Sequence, residues 1–330
     1  MARRPLHALL VAAVSAALTV GLVLVPSTAG AAVRPTGPLS LATGAYFGAL
    51  VNPNRSTPSS TTAEVEALQA KMDRPLDIVN HFYTYNQAVG STGEAQDIAD
   101  GRIPMITWGA TSTLSINNGS QDAYIRQQAI RIRNLGGTVF LRYFHEPEGD
   151  YRGTMVQSAS AYITAWKRAQ SIFRNAGVTN VVWVWCTTAY SFRVTPTRDP
   201  RTFYPGDAFV DWIGADGYNF APGKPGAQWN SFTTVFSRWY TWASQRPKPL
   251  MAAEYGVMED QSQPTRKAGW YNDMRAAVKT TFPLLQAVIA WSTENTKDGN
   301  VYNWNVDSTT TSFNAWNAMA NDPYFNPRGL

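Results

Sequence analysis

The chain has 330 residues, of which 44% are hydrophobic and 15% charged, a balance that excludes general disorder and leaves room for a large core. Its formal charge of +5 comes from basic side chains scattered without a dense block, which excludes nucleic acid as the expected partner. A single cysteine, Cys186, excludes an internal disulfide, and with only three histidines there is no convincing zinc or iron site. In chain order, Arg3-Arg4, an apolar run over 9–25 and Ala29-Gly30-Ala31 read as a secretory signal over 1–32. The run falls short of the ~20 residues that a spanning helix needs. A secreted, extracellular protein without a membrane anchor is therefore expected, and losing Arg3 and Arg4 lowers its charge to +3. Residues 33–43 lack periodicity and form a lead-in; 44–330 read as one domain.

Within 44–330, short apolar runs alternate with amphipathic stretches. The runs at 45–50, 76–83, 103–108, 138–144, 181–185, 210–218, 250–255 and 287–292 are rich in β-branched and aromatic residues and predict buried strands. Thr61 and Glu64 form a capping-box pattern that opens a helix through residue 72. Further helices are predicted over 121–135, 158–175, 229–244, 265–279 and 312–320. Fully apolar strands alternating with helices imply a parallel sheet covered on its outer face. Eight such units in one domain predict a (β/α)8 TIM barrel, whose functional groups gather where strands end. No EF-hand loop or phosphate-binding glycine loop is present, and no cofactor or metal is expected.

His81, Trp108, His145, Glu146, Asp216, Tyr218, Glu254, Trp291 and Glu294 all fall near strand C-termini. Two of these acids are placed for shared work. The fourth strand runs straight into His145-Glu146, and the seventh ends in Glu254 followed by Tyr255-Gly256. The ends of these strands face each other across a barrel mouth. Cleavage of a glycosidic bond needs one protonated carboxyl at the leaving oxygen and one carboxylate at the anomeric carbon, ~5–5.5 Å apart where configuration is retained. An anion at Glu254 would hold Glu146 protonated, and its loss on forming a glycosyl ester would free Glu146 to act as a base. The 12 tryptophans suit this chemistry, because a sugar ring's C–H face packs on an indole.

The segments HEPEGDY after the fourth strand, YPGDAFVDWIGADGYN around the sixth, AAEYG at the seventh and AVIAWSTEN at the eighth resemble glycoside hydrolase family 26. The resemblance runs in order over roughly residues 44–325. Its His-Glu pair is informative, since related barrel glycosidases usually carry Asn-Glu there. The resemblance implies a retaining endo-β-glycosidase with Glu146 as acid/base and Glu254 as nucleophile. It further implies that His145 orients the site, that Tyr218 hydrogen-bonds the nucleophile, that His81 and Trp108 line the subsite at the cleaved bond, and that Trp291 stacks under the sugar. Mannan-cleaving members often carry Trp soon after the His-Glu pair. Here Asp150-Tyr151-Arg152-Gly153 occupies that stretch, with Tyr151 able to stack. A polysaccharide, with β-1,4-mannan first and mixed-linkage β-glucan or β-1,3-xylan next, is the expected partner of a monomeric enzyme. A non-catalytic carbohydrate-binding barrel is the alternative of another class.

Overall fold

The computed structural model describes residues 34–52, 60–109, 111–149, 154–193, 198–297 and 299–329. The expected signal over 1–32 and the expected stacking residue Tyr151 lie outside the described residues.

Eight parallel strands follow one another around the sheet: β1 (Tyr46–Asn52), β2 (Ile78–Tyr83), β3 (Ile103–Trp108), β4 (Val139–Tyr143), β5 (Val181–Thr188), β6 (Trp212–Asn219), β7 (Leu250–Val257) and β8 (Leu285–Lys297). Pairing of β1 with β8, from Tyr46 opposite Ala287 to Asn52 opposite Thr293, closes the barrel. The larger covering helices are α1 (Thr62–Met72), α2 (Thr92–Ala99), α4 (Asp122–Arg133), α5 (Ala159–Asn175), α6 (Phe232–Ala243), α7 (Arg266–Thr280) and α8 (Thr310–Ala320); α3 (Thr113–Asn117) is one short turn. Each predicted strand overlaps an observed one.

Two elements go beyond the sequence reading. Helix α2 opens at Ser91 with a capping box that uses Glu94, the same pattern as Thr61 and Glu64 at α1. Strand β8 runs past residue 292 because it turns back at Gly299, which takes a φ of +75°, into an antiparallel hairpin with β9 (Asn300–Asn303).

Strand periodicity sorts the core into two layers. Alternate strand residues, among them Ile78, Met105, Phe140, Val184, Trp212, Met251 and Ile289, fill the barrel interior. Their neighbours Val79, Ile106, Leu141, Trp185, Ile213, Ala252 and Val288 face outward into the helix layer. The lead-in closes the base: Leu39 and Leu41 pack on the interior cluster, and the Trp212 indole N–H donates to the Pro38 carbonyl at 2.7 Å. Above the apolar floor the inward positions turn polar. Two residues beyond Phe140 comes Arg142, beyond Met105 comes Thr107, and beyond Gly214 comes Asp216. Gly217 sets how closely α6 lies on β6, because a Cβ there would sit 2.4 Å from Phe236 Cζ.

Candidate active site

Arg142 is the hub of the barrel mouth. Its guanidinium is fully buried and reaches three strands at once. Nε donates to the Thr107 hydroxyl at 2.9 Å, Nη1 to Asp216 Oδ1 at 2.6 Å, and Nη2 to Glu254 Oε1. Thr107 in turn donates to Asn80 Oδ1 at 2.7 Å, so the inward residues of β2, β3, β4, β6 and β7 form one connected polar layer. The second oxygen of Glu254 accepts from the Tyr218 hydroxyl at 2.5 Å. Glu254 is therefore held by a cation on one oxygen and a phenol on the other.

A register shift brings Glu254 into this layer. Met251 and Ala253 already point inward, so strict alternation would turn residue 254 outward. The pairing of β6 with β7 skips one residue after Ala215 opposite Ala252, and Glu254 lies opposite Asp216. Such a bulge re-aims a side chain without ending the strand.

Glu146 is presented differently, from a turn just past β4. Phe144 and Glu146 take φ values of +45° and +51°, the left-handed region that residues with a Cβ occupy at a cost of about 1–3 kcal/mol each. Backbone bonds hold the turn: Phe144 N–H donates to the Trp108 carbonyl at 3.0 Å and Glu146 N–H to the Cys186 carbonyl at 2.9 Å. Glu146 remains partly exposed at the rim, while Glu254 is only 6% exposed.

The charges constrain one another. Burial pushes the carboxyls of Asp216 and Glu254 above their ordinary values, and Arg142 opposes both shifts. Glu146 lies close enough that its charge raises Glu254 further. Asp216, raised first of all by burial, is raised also by the charges of Glu254 and Glu146 and shares the same guanidinium.

Other predicted residues divide by strand parity. His145 is buried beside Glu146, edge-on to Phe82 at 5.4 Å. Trp291 shares the inward parity of Ala287 and Ile289; it is half-buried and meets Phe82 edge-on at 6.0 Å. Trp108 is a correction: it belongs to the outer layer with Ile106, is wholly enclosed, and stacks on Tyr85 at 5.5 Å. No face of it is open to a sugar. His81 shares the outward parity of Val79 and is 2% exposed, with Nε2 2.6 Å from Asp97 Oδ2. Asp97 also binds Arg102 at 2.8 Å, so His81 braces α2 against β2 from behind the cleft wall. Trp108→Ala is accordingly expected to cost about 3–5 kcal/mol of stability, measured by denaturant melts. Trp291→Ala should cost about 1–2 kcal/mol and show its main effect as a KM raised roughly tenfold.

Sequence reasoning missed Arg142, whose position two residues past the inward Phe140 was the available signal. It also missed the aromatic wall behind Tyr218. Trp304 packs on Tyr218 at 5.0 Å and Tyr302 stacks on Trp304 at 6.1 Å, both delivered by the β8–β9 hairpin. Two recesses flank the centre. One of about 670 Å3 is lined by Glu146, Thr188, Tyr190, Tyr218 and Phe220; another of about 530 Å3 is lined by Phe82, Tyr83, Ser91 and Gly93. Both fall in the size range of small-molecule sites. Among the described residues no cluster of three His, Cys, Asp or Glu is placed to hold a metal ion.

Residues 110–239, which carry the Glu146 turn and the Asp216–Tyr218 strand, match the model of glycosyl hydrolase family 26. Over this stretch the chain carries a glycosyl hydrolase family 26 domain. Endoglucanase H of Acetivibrio thermocellus is 30% identical over 263 residues, which is 76% of this chain and 28% of that protein. Mannan endo-1,4-beta-mannosidase A and B of Caldalkalibacillus mannanilyticus is 25% identical over 184 residues, 53% of this chain and 32% of that protein. The chain thus spans about a third or less of these curated relatives. The family 26 domain of a Prevotella bryantii endo-beta-mannanase/endo-beta-glucanase superposes with a TM-score of 0.59 at 14% identity, covering 86% of this chain and 90% of that one. That likeness is one of fold, the (β/α)8 barrel. Within it, Arg142 and Tyr218 together hold Glu254 at the mouth.

Proposed function

We propose that this family 26 protein is a retaining endo-β-glycosidase that cleaves β-1,4-mannan by double displacement after export from the cell. The observation that carries the reading is the grip on Glu254, which bonds Arg142 through one oxygen and Tyr218 through the other. A carboxylate so held is fixed in position, and both bonds favour its anionic form where a nucleophile is needed. Glu146, raised at the opposite rim, is the acid/base.

In the first step Glu254 attacks the anomeric carbon while Glu146 gives its proton to the departing glycosidic oxygen, leaving a glycosyl ester on Glu254. In the second, Glu146 takes a proton from water, whose oxygen displaces Glu254 and restores the original configuration. The Tyr218 hydroxyl, freed as charge leaves Glu254, can turn toward the ring oxygen of the bound sugar. Trp291 supplies a stacking face beneath that ring. Export rests on the signal pattern over residues 1–32.

A second reading of the substrate, a mixed-linkage β-glucan, is favoured by the endoglucanase, the more similar of the two curated relatives. Incubation with mannan, mixed-linkage glucan, β-1,3-xylan and cellulose distinguishes the substrates. The expected result is oligosaccharide release from mannan, with the new reducing ends first appearing as the β-anomer by proton NMR. Release from glucan alone would move the specificity and leave the mechanism intact. First appearance of the α-anomer would rule out double displacement, and no release from any polymer would favour a binding protein.

A further inference from the structure

Glu148 follows Glu146 by two residues and has no part in the chemistry above. Its carboxyl is nonetheless 2% exposed, an unusual place for an acid in a loop. Oε1 accepts two hydrogen bonds from the end of β5: the Thr188 N–H at 2.7 Å and the Thr188 hydroxyl at 3.1 Å. That hydroxyl is itself 2.6 Å from Ser191 Oγ. Oε2 is enclosed with no hydrogen-bond partner among the described residues. Between the two glutamates, the Pro147 carbonyl accepts from Arg198 Nη2 at 2.9 Å. A turn strained at Glu146 thus has one fastening at its start, to the Cys186 carbonyl, and a second at Glu148.

We propose that Glu148 is a positioning residue for Glu146: it clamps the acid/base turn to β5, and its negative charge extends activity on the alkaline side. This rests on Glu146 being the acid/base. The first part follows from geometry. Without the Thr188 bonds, a turn with positive φ at Phe144 and Glu146 loses its side-chain fastening to the end of β5, and its relaxation would swing the Glu146 carboxyl away from the leaving oxygen.

The second part follows from surroundings. Glu146, in the same loop, is near enough for its charge to act on Glu148, Arg198 is engaged with the Pro147 and Val156 carbonyls, and β5 meets Glu148 with the neutral Thr188. Asp216 and Glu254 lie beyond Glu146 and share its field. Burial, reinforced by Glu146, pushes the Glu148 carboxyl up to about 7. Below that pH the residue is neutral and clamps without repelling; above it, a new anion beside Glu146 opposes loss of the Glu146 proton. Wild-type activity is thereby extended on the alkaline side.

The test measures kcat/KM against pH for the full-length protein, on the polysaccharide it cleaves and on a 2,4-dinitrophenyl β-glycoside of the same sugar. The aryl leaving group departs without protonation, so its kcat/KM does not depend on the acid. Glu148→Ala is expected to lower kcat/KM on polysaccharide about thirtyfold and on the aryl glycoside less than about threefold. Glu148→Gln, which keeps an acceptor for Thr188, should retain polysaccharide activity near pH 6 and move the alkaline limb down by about half a unit to one unit. Parallel losses on both substrates, or a Glu148→Gln profile superposing on wild type, would overturn the proposal. Glu146→Ala serves as the control for the underlying reading. If it too cleaves polysaccharide normally, the assignment of Glu146 fails; if it loses polysaccharide and keeps aryl activity while the Glu148 variants match wild type, only the clamp fails.

Discussion

Replacing Glu254 with alanine is expected to lower kcat on polysaccharide by at least about 10^4-fold, as removal of a covalent nucleophile does in other enzymes. Binding should survive, because the stacking face of Trp291 and the flanking recesses are untouched. The folded state should also survive. Arg142 keeps its bonds to Asp216 and Thr107 when Glu254 is shortened, so no buried cation is orphaned. Azide supplies a sharper readout. Removing the carboxylate opens a space beside Arg142 that a small anion can enter, and attack from there on an activated aryl β-glycoside gives an α-glycosyl azide. Rescue with that configuration is the expected result, measured by product NMR. Full activity in Glu254→Ala, or a β-configured azide product, would place the nucleophile elsewhere.

The fold was legible because parallel barrel strands are buried on both faces and read as unbroken apolar runs. The segments 181–185 and 250–253 have that character, and both lie in strands. The β8–β9 hairpin was not legible. STENTK is polar and lacks alternation, and its strand character comes from pairing with 300–303, a tertiary cause. Glu146 and Glu254 stood out because each acid interrupts the end of an apolar strand. What strand ends do not reveal is facing. His81 and Trp108 sit at the right height yet on the outward parity, and only counting from Ile78 and Met105 places them behind the wall. The same count would turn Glu254 outward as well; the register shift next to Asp216 turns it in, and no residue in AAEYG announces that shift. Arg142 was hidden for the opposite reason. A cation in an apolar strand is read as a nuisance until its two carboxylate partners, 74 and 112 residues away in sequence, are seen to converge on it.

That convergence makes Arg142 the residue whose loss should disturb both stability and chemistry. Arg142→Met fills similar volume with an apolar chain and leaves Asp216 and Glu254 buried without their cation. Breaking a buried pair in this way costs about 3–5 kcal/mol, on the order of 10 °C in Tm for a chain of this size. The pH dependence carries the diagnostic sign. Burial already raises both carboxyls above their ordinary values of 3.8 and 4.5, and Arg142 is the main force pulling them back. Without it they rise further, so the native variant binds more protons than its unfolded chain. Its stability is then greatest below about pH 4 and falls as pH rises through the ordinary carboxylate range toward neutrality. The Tm gap between wild type and variant should therefore widen from pH 4 to pH 7. In parallel, a smaller ionised fraction of Glu254 moves the acidic limb of kcat/KM to higher pH. A Tm gap that stays constant with pH, together with an unmoved acidic limb, would mean that Arg142 is a packing residue and that something else keeps Glu254 charged.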